Sequence, residues 1–324
     1  MQQKFDIQLM RELRSSEQKP PTHNTLKNSA PWPKPPNEAA YHGLVGDFVR
    51  IIEPQSETDP VALLVQFLLA FGNAMGRNAY FMVEATHHYL NEFSVTVGES
   101  SRSRKGTSLG HVEKIFETAD PNWIDSCRHP GGLSSGEGLI WAVRDPIIKL
   151  TDENSRDSIS DEGVSDKRLL VVEEEFASAL RVMSRDGNTL SPTIRRAWDK
   201  GTLRSLTKNS PARATGAHIS ILGHITRDEL LRYFDKTEIA NGFGNRFLWV
   251  CVKRSKLLPE GGRVDMDKFQ PIIQRLVKAV QFSQKATELK RDEDTREIWR
   301  GVYPKLTRDV PGLLGAVTSR GEAH

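Results

Sequence analysis

A chain of 324 residues with 37% hydrophobic content can form one large domain or two ordinary ones and can bury a real core. With 45 Lys and Arg against 42 Asp and Glu the net charge is +3, so whole-chain charge does not announce a nucleic-acid binder and any basic face must be local. The two cysteines, Cys127 and Cys251, lie far apart and form no CxxC pair, which argues against a structural zinc site or a disulfide framework and fits a reducing, cytoplasmic setting.

The opening MQQKFDIQLMRELRSSEQ is charged throughout and lacks the apolar segment of a signal peptide. Six prolines between Lys19 and Pro36 then mark a flexible, disordered tether over residues 1–39. Helical patterning follows in YHGLVGDFVRII and in DPVALLVQFLLAFGNAMG, the latter with Asp59 as N-cap, Pro60 at the first helical position and Gly76 as C-cap. Its apolar run, Val61 to Met75, is broken by Gln66, Gly72 and Asn73 and is too short to span a bilayer, so it reads as a buried helix of a protein with no membrane segment. AYFMVEA and EFSVTVG read as strands, the second apolar enough to be central in a sheet covered on both faces.

Beyond Lys105, Leu109, Val112 and Phe116 recur at helical spacing, giving a helix that opens directly out of a glycine-containing turn. Thr151 to Lys167, TDENSRDSISDEGVSDK, is polar and aperiodic and reads as a mobile surface insertion. RLLVVEEE, HISILGHIT and RFLWVCV are further strands. Strands alternating with helices predict a mostly parallel α/β sheet over a core of 91–262, after a helical lead-in with a first strand at 40–90 and before a helical segment at 263–324.

VTVGESSRSRKGTS holds the parts of a phosphate-binding loop in an unusual order. Such a loop needs backbone N–H groups and a helix N-terminus around phosphate oxygens, a lysine as point charge and a hydroxyl for the metal. Gly98 follows the strand, Gly106 is the second small residue, Lys105 brings the ammonium, and Thr107 or Ser108 the hydroxyl. Against G-x-x-x-x-G-K-[ST], however, Lys105 precedes its glycine and falls one position late. A basic surface turn is the alternative.

The strand Leu169 to Val172 ends in Glu173, Glu174 and Glu175, at the sheet edge where open α/β sheets bind ligands. One carboxylate there can hold magnesium and its neighbour can polarise an attacking water, although acids also simply favour a helix N-terminus. His224 and Thr226 end another strand and can sense a γ-phosphate, or Thr226 can cap the helix of RDEL. Arg246, after the glycine-rich NGFGN, is a candidate arginine finger for a phosphate in its own or a neighbouring subunit, or an ordinary surface ion pair. Arg195, Arg196, Lys200, Arg204, Lys208 and Arg213, interleaved with Trp198, form a basic stretch suited to a nucleic-acid backbone or to a solvated face. His87 and His88 lack acidic or cysteine partners at ligand spacing and read as packing residues.

In order, GESSRSRKGTS, GGLSSGEGLI, RLLVVEEEFASAL, TKNSPARATGAHISILGHIT and NGFGNRFLW resemble a bacterial, plasmid and phage family of RecA-like P-loop ATPases, catalogued as a domain of unknown function and found with primase-polymerase and helicase modules. The resemblance runs from about Ala40 to the end. It implies a RecA-like P-loop NTPase fold, ATP and Mg2+ as cofactors, ATP bound by Lys105 and Thr107, Thr107 and Glu173 at the metal, Glu173 or Glu175 in catalysis, and Arg246 as finger. It further implies a helicase-like role in replication of a mobile element, with single-stranded or duplex DNA, a primase-polymerase and a homo-oligomeric ring as partners. The permuted lysine and glycine bear on hydrolysis more than on binding. VPGLLGAVTSRGEAH stops where such proteins continue into further helices, so a truncated C-terminus is expected. The competing expectation is a nucleic-acid-binding or scaffolding module that keeps the fold without turnover; a metal-dependent nuclease built on Glu173 to Glu175 is a third.

Overall fold

A computed structural model of the chain describes residues 32–149, 158–206, 212–285 and 287–324. Met1–Lys34 and Pro35–His324 separate as two units, and every described helix and strand lies in the second. Most of the expected tether, and Lys208, lie outside the described residues.

Helix α1 spans Gly43–Ile52 and α2 spans Pro60–Met75. The caps of α2 are those the sequence predicts: the Asp59 carboxylate accepts from Val61 N–H, Pro60 opens the helix, and Gly76 closes it at φ +71. AYFMVEA does form a strand, Tyr80–Val83, but it pairs with Thr86–His88 and Glu288–Leu289 in a separate small sheet.

The central sheet has five strands: β1 (Phe93–Gly98), β2 (Arg128–His129), β3 (Arg168–Glu173), β4 (His218–Thr226) and β5 (Leu248–Val252). They are all parallel, in the order β5-β1-β4-β3-β2. With helices α3 (Lys105–Ala119), α4 (Gly136–Trp141), α5 (Phe176–Met183), α6 (Leu190–Asp199), α7 (Arg227–Tyr233) and α8 (Gln270–Ser283) around it, the architecture is the expected α/β one and is compatible with a Rossmann or RecA-like fold.

Strand alternation sorts the core into two layers. Phe93, Val95, Val97, Leu169, Val171, Ile219 and Ile221 face a layer that holds Phe176 and Leu180 of α5 and Ile194 of α6. Leu170, Val172 and Leu222 face the opposite layer, with Phe67 of α2, Val112 and Phe116 of α3, and Leu276 of α8. Gly223 is required at one contact, because a Cβ there would stand 2.7 Å from the Phe176 ring. The polar interruptions of α2 are anchors: Asn73 is fully buried, donates to the carbonyls of Leu169 and His218, and accepts from Trp123 Nε1 at 3.0 Å.

The insertion expected at Thr151 to Lys167 is partly ordered. Ser158–Asp161 pairs antiparallel with Ile147–Lys149, Ile148 standing opposite Ile159. Arg144 then ties Asp161 through two hydrogen bonds of 3.0 and 2.9 Å. An apolar cross-strand pair and a bidentate ion pair outweigh the polar composition that suggested a featureless loop. Among the described residues, no helix is long and apolar enough to cross a membrane.

Candidate functional site

The loop between β1 and α3 is built around Gly98. A Cβ there would stand 2.5 Å from Ser103 Oγ and 3.0 Å from Lys105 Nζ, so only glycine lets the chain fold back over its own strand end. Ser101–Ser103 form one 3-10 turn, Arg104 adopts the left-handed conformation (φ +57, ψ 29), and α3 starts at Lys105. The left-handed residue is therefore an arginine, held by two contacts of 2.8 and 2.7 Å between its guanidinium and Glu57. The glycine pattern in the sequence did not reveal it.

Ser108 N–H makes the first bond into the helix, to the Arg104 carbonyl at 3.1 Å. The amides of Lys105, Gly106 and Thr107 precede it at the positive end of a 15-residue helix, the arrangement that binds anions. Lys105 Nζ donates to the Ser100 carbonyl at 3.2 Å, and burial pushes its pKa down while Glu229 opposes the shift. A partly desolvated ammonium gains from an anionic ligand. Thr107 is exposed at the mouth of the site, whereas the Ser108 hydroxyl is buried and donates to the Lys105 carbonyl at 2.7 Å. Of the two hydroxyls, Thr107 is the one free to meet a ligand.

A cavity of ≈ 500 Å³ lies here, lined by Lys105, Gly106 and Thr107 together with Glu174, Glu175 and His224. Its size falls within the roughly 300–1,000 Å³ of small-molecule sites. The loop and the acids thus meet at the C-terminal edge of the sheet, although β1 and β3 are not neighbours: β4 runs between them and contributes His224. His224 is 3% exposed, and burial, reinforced by the Lys105 charge, pushes its pKa down to about 4.

Glu173 does not line this cavity. It follows Leu169 and Val171 in strand alternation, so its carboxylate points to the other face of the sheet, where it accepts from Leu133 N–H at 2.6 Å. There it holds the GGLSS turn, in which Gly131 and Gly132 take φ +91 and +89. Burial raises its pKa, against the pull of the Leu133 and Gly132 N–H groups. Glu175 lines the cavity and also stands at the N-cap position of α5, where its side chain makes no capping hydrogen bond. Thr226 is committed to capping: its hydroxyl accepts from Glu229 N–H and donates to the Glu229 carboxylate at 2.7 Å.

Arg246 stands at the opposite edge of the sheet, just before β5, and is 7% exposed. It pairs with Asp199 at 2.7 Å and donates to the Gly242 carbonyl. Burial in an ion pair at the edge away from the cavity does not fit a finger acting on the chain's own cavity; the ordinary ion pair is what the fold holds.

The basic stretch gathers at that same opposite edge. Arg195 is half-buried and donates to the Asn241 carbonyl at 3.0 Å. Arg196, Arg204 and Arg213 are exposed, and the last two are direct cross-strand partners in a two-stranded hairpin. Lys200 lines a ≈ 230 Å³ cavity with Trp198, Tyr89, His87, Arg77 and Arg320. His87 packs edge-on against Tyr80 at 4.3 Å.

Among the described residues no group of three or more His, Cys, Asp and Glu is placed to hold a metal ion. The oxygen donors that line the cavity and could hold a cation together with a ligand's own oxygens are the Thr107 hydroxyl and the Glu174 and Glu175 carboxylates. Both cysteines are free thiols. Compared with known proteins, the chain matches no family model and has no significant match to a curated protein.

Proposed function

We propose that the chain binds a nucleoside triphosphate, ATP, with Mg2+ at the cavity between α3 and the ends of β3 and β4, and hydrolyses it as a RecA-like P-loop ATPase serving DNA replication of a mobile element. The observation that carries this reading is the convergence of Lys105, Gly106 and Thr107 with Glu174, Glu175 and His224 on one cavity at the carboxyl edge of a parallel sheet. In it, the amides of the first helical turn and the Lys105 ammonium take phosphate oxygens, Thr107 and a carboxylate take the metal, and Glu174 or Glu175 orients the attacking water. Magnesium, when bound, neutralises charge on the phosphoryl oxygens. Catalysis is then almost entirely positioning and charge stabilisation. Glu173 acts from behind, fixing the turn at Gly131 to Leu133.

Lys105→Ala is the test. Calorimetry is expected to show ATP affinity lost in this variant while its melting temperature stays close to the parent's; unchanged affinity removes the loop assignment.

A second reading, a nucleic-acid-binding or scaffolding module without turnover, is favoured by the facing pair Arg204 and Arg213. Asp145 already meets Arg213 at 3.5 Å, so Arg204, exposed and without an ion pair among the described residues, is the charge of this pair left to a phosphate backbone. Phosphate release measured with and without single-stranded DNA separates the two, since the scaffold predicts none above the Lys105→Ala control.

A further inference from the structure

Gln66 is 1% exposed on α2, among inward residues that are mostly apolar. Its side chain crosses to β4, where its Nε2 stands 3.0 Å from Nε2 of His224. Two nitrogens at that distance need one donor and one acceptor. An amide nitrogen can only donate, so His224 Nε2 carries the lone pair and the single proton of the neutral ring sits on Nδ1. Turning the amide over would offer oxygen to the ring, but it would bury the NH2 group, with two donors, where the Gln66 Oε1 now lies without a partner. Orphaned buried donors are rarer and more destabilising than one under-satisfied carbonyl oxygen.

The other ring nitrogen is in a different situation. Among the described residues His224 Nδ1 has no hydrogen-bond partner; with Nε2 turned to Gln66, it is the ring nitrogen left for the cavity that His224 lines with Lys105 and Glu174. Because β4 lies between β1 and β3, His224 is carried on the strand between the one that leads to Lys105 and the one that ends in the acids. If the cavity holds ATP, this is where the terminal phosphoryl group belongs, between its binding lysine and the glutamate that orients water.

We infer that Gln66 is a positioning residue that locks His224 in the Nδ1–H tautomer, so that the ring presents a neutral N–H donor to the terminal phosphoryl group and sets the preference of the site for triphosphate over diphosphate. The inference rests on the nucleotide reading for its consequence but not for the tautomer itself. Depression of the His224 pKa to about 4 keeps the ring neutral near pH 7, so its role there is hydrogen bonding and not charge.

Two measurements on the full chain test it. Nitrogen-15 NMR of the histidine-labelled protein, with His224 assigned by its loss in His224→Asn, is expected to show Nδ1 protonated and Nε2 bare, and to lose that bias in Gln66→Met, which keeps the side-chain length without the donor. An Nε2–H ring in the parent overturns the inference whatever the protein binds. Calorimetry with ADP and with a non-hydrolysable ATP analogue is expected to show about a tenfold loss for the analogue alone in Gln66→Met and in His224→Asn, the size of one hydrogen bond to a charged group. Equal losses for both nucleotides, or none, mean a merely structural Gln66 and overturn the inference while the nucleotide reading stands. Failure of the parent to bind either nucleotide overturns the nucleotide reading and the specificity role with it, leaving the tautomer to the NMR measurement.

Discussion

Gly106 and Glu174 face each other across the mouth of the cavity: a Cβ placed on Gly106 would stand 3.8 Å from the Glu174 carboxylate. The space is therefore open, and the small residue is not demanded by the protein's own packing. Gly106→Ala is expected to fold at least as stably as the parent, with a gain of up to about 1 kcal/mol from replacing a helical glycine. Nucleotide affinity is expected to fall, because the methyl group occupies the approach to the first-turn amides. Thermal melting and calorimetry together check this; a destabilised Gly106→Ala protein contradicts the open geometry.

Gly98 is the opposite case. A Cβ at this position meets Ser103 Oγ at 2.5 Å and the Lys105 ammonium at 3.0 Å, and the strand end above it leaves nowhere to retreat. Gly98→Ala is expected to lose about 1–3 kcal/mol by overpacking and to bind nucleotide poorly because Lys105 is displaced. If urea midpoints of parent and variant coincide, the loop is not packed as described.

The three glutamates divide between the two faces of the sheet: Glu174 and Glu175 line the cavity, and Glu173 turns away from it to the Leu133 amide. Glu174→Gln, on the cavity side, is expected to reduce phosphate release at least tenfold with nucleotide affinity largely kept, as for loss of a water-orienting group. Glu173→Gln retains an acceptor for Leu133 N–H and is expected to turn over nearly as the parent does. Glu173→Leu, which leaves the Leu133 amide unpaired, is expected to cost about 1–3 kcal/mol of stability. Steady-state phosphate release for the first two and denaturation for the third decide the assignment; turnover lost in Glu173→Gln and kept in Glu174→Gln would reverse it.

What the sequence made legible was whatever depends on local pattern. The caps of α2, four of the five central strands and the acids at the end of β3 follow from Asp59, Pro60 and Gly76, from apolar runs, and from Glu173 to Glu175. What it hid depends on contacts far along the chain. β2 is only Arg128–His129, too short for any periodicity to show. Gln66 and Asn73 looked like mere breaks in an apolar helix, yet Gln66 meets His224 and Asn73 meets Leu169 and His218, partners that only the fold brings near. Strand order likewise placed β4 between the loop and the acids, which no spacing in the sequence encodes.

Arg246 shows the same contrast between sequence and space. Its neighbours in sequence, a glycine-rich turn, suggested reach; its neighbours in space, Asp199 and the Gly242 carbonyl, bury it. Arg246→Ala leaves Asp199 with Arg320 as its remaining partner, at 2.9 Å, and opens a void beside Trp198. Because Asp199 is exposed and keeps Arg320, the expected loss comes from the void and the unpaired Gly242 carbonyl, about 1–3 kcal/mol, with the ratio of turnover to nucleotide affinity unchanged in the folded fraction. A stable Arg246→Ala protein with collapsed turnover would instead restore the finger.

His218 makes the stability of the protein depend on pH. The ring is 1% exposed between α2 and the start of β4, its Nε2–H donates to the Gly72 carbonyl at 3.0 Å, and its Nδ1 is buried without a partner. Burial pushes its pKa down to about 4, against an ordinary histidine value of 6.5. Below pH 6.5 the unfolded chain therefore takes up a proton that the folded chain refuses until near pH 4. Stability from this group is complete above pH 6.5 and declines as the pH falls through that window, by up to about 3 kcal/mol in all and about 2 kcal/mol by pH 5. His224 acts in the same direction, so the isolating measurement is a difference. Urea midpoints at pH 7 and pH 5 are expected to separate less in His218→Gln than in the parent. An equal separation in the two proteins would place the acid sensitivity elsewhere and would mean that His218 is accessible enough to be protonated in the folded state.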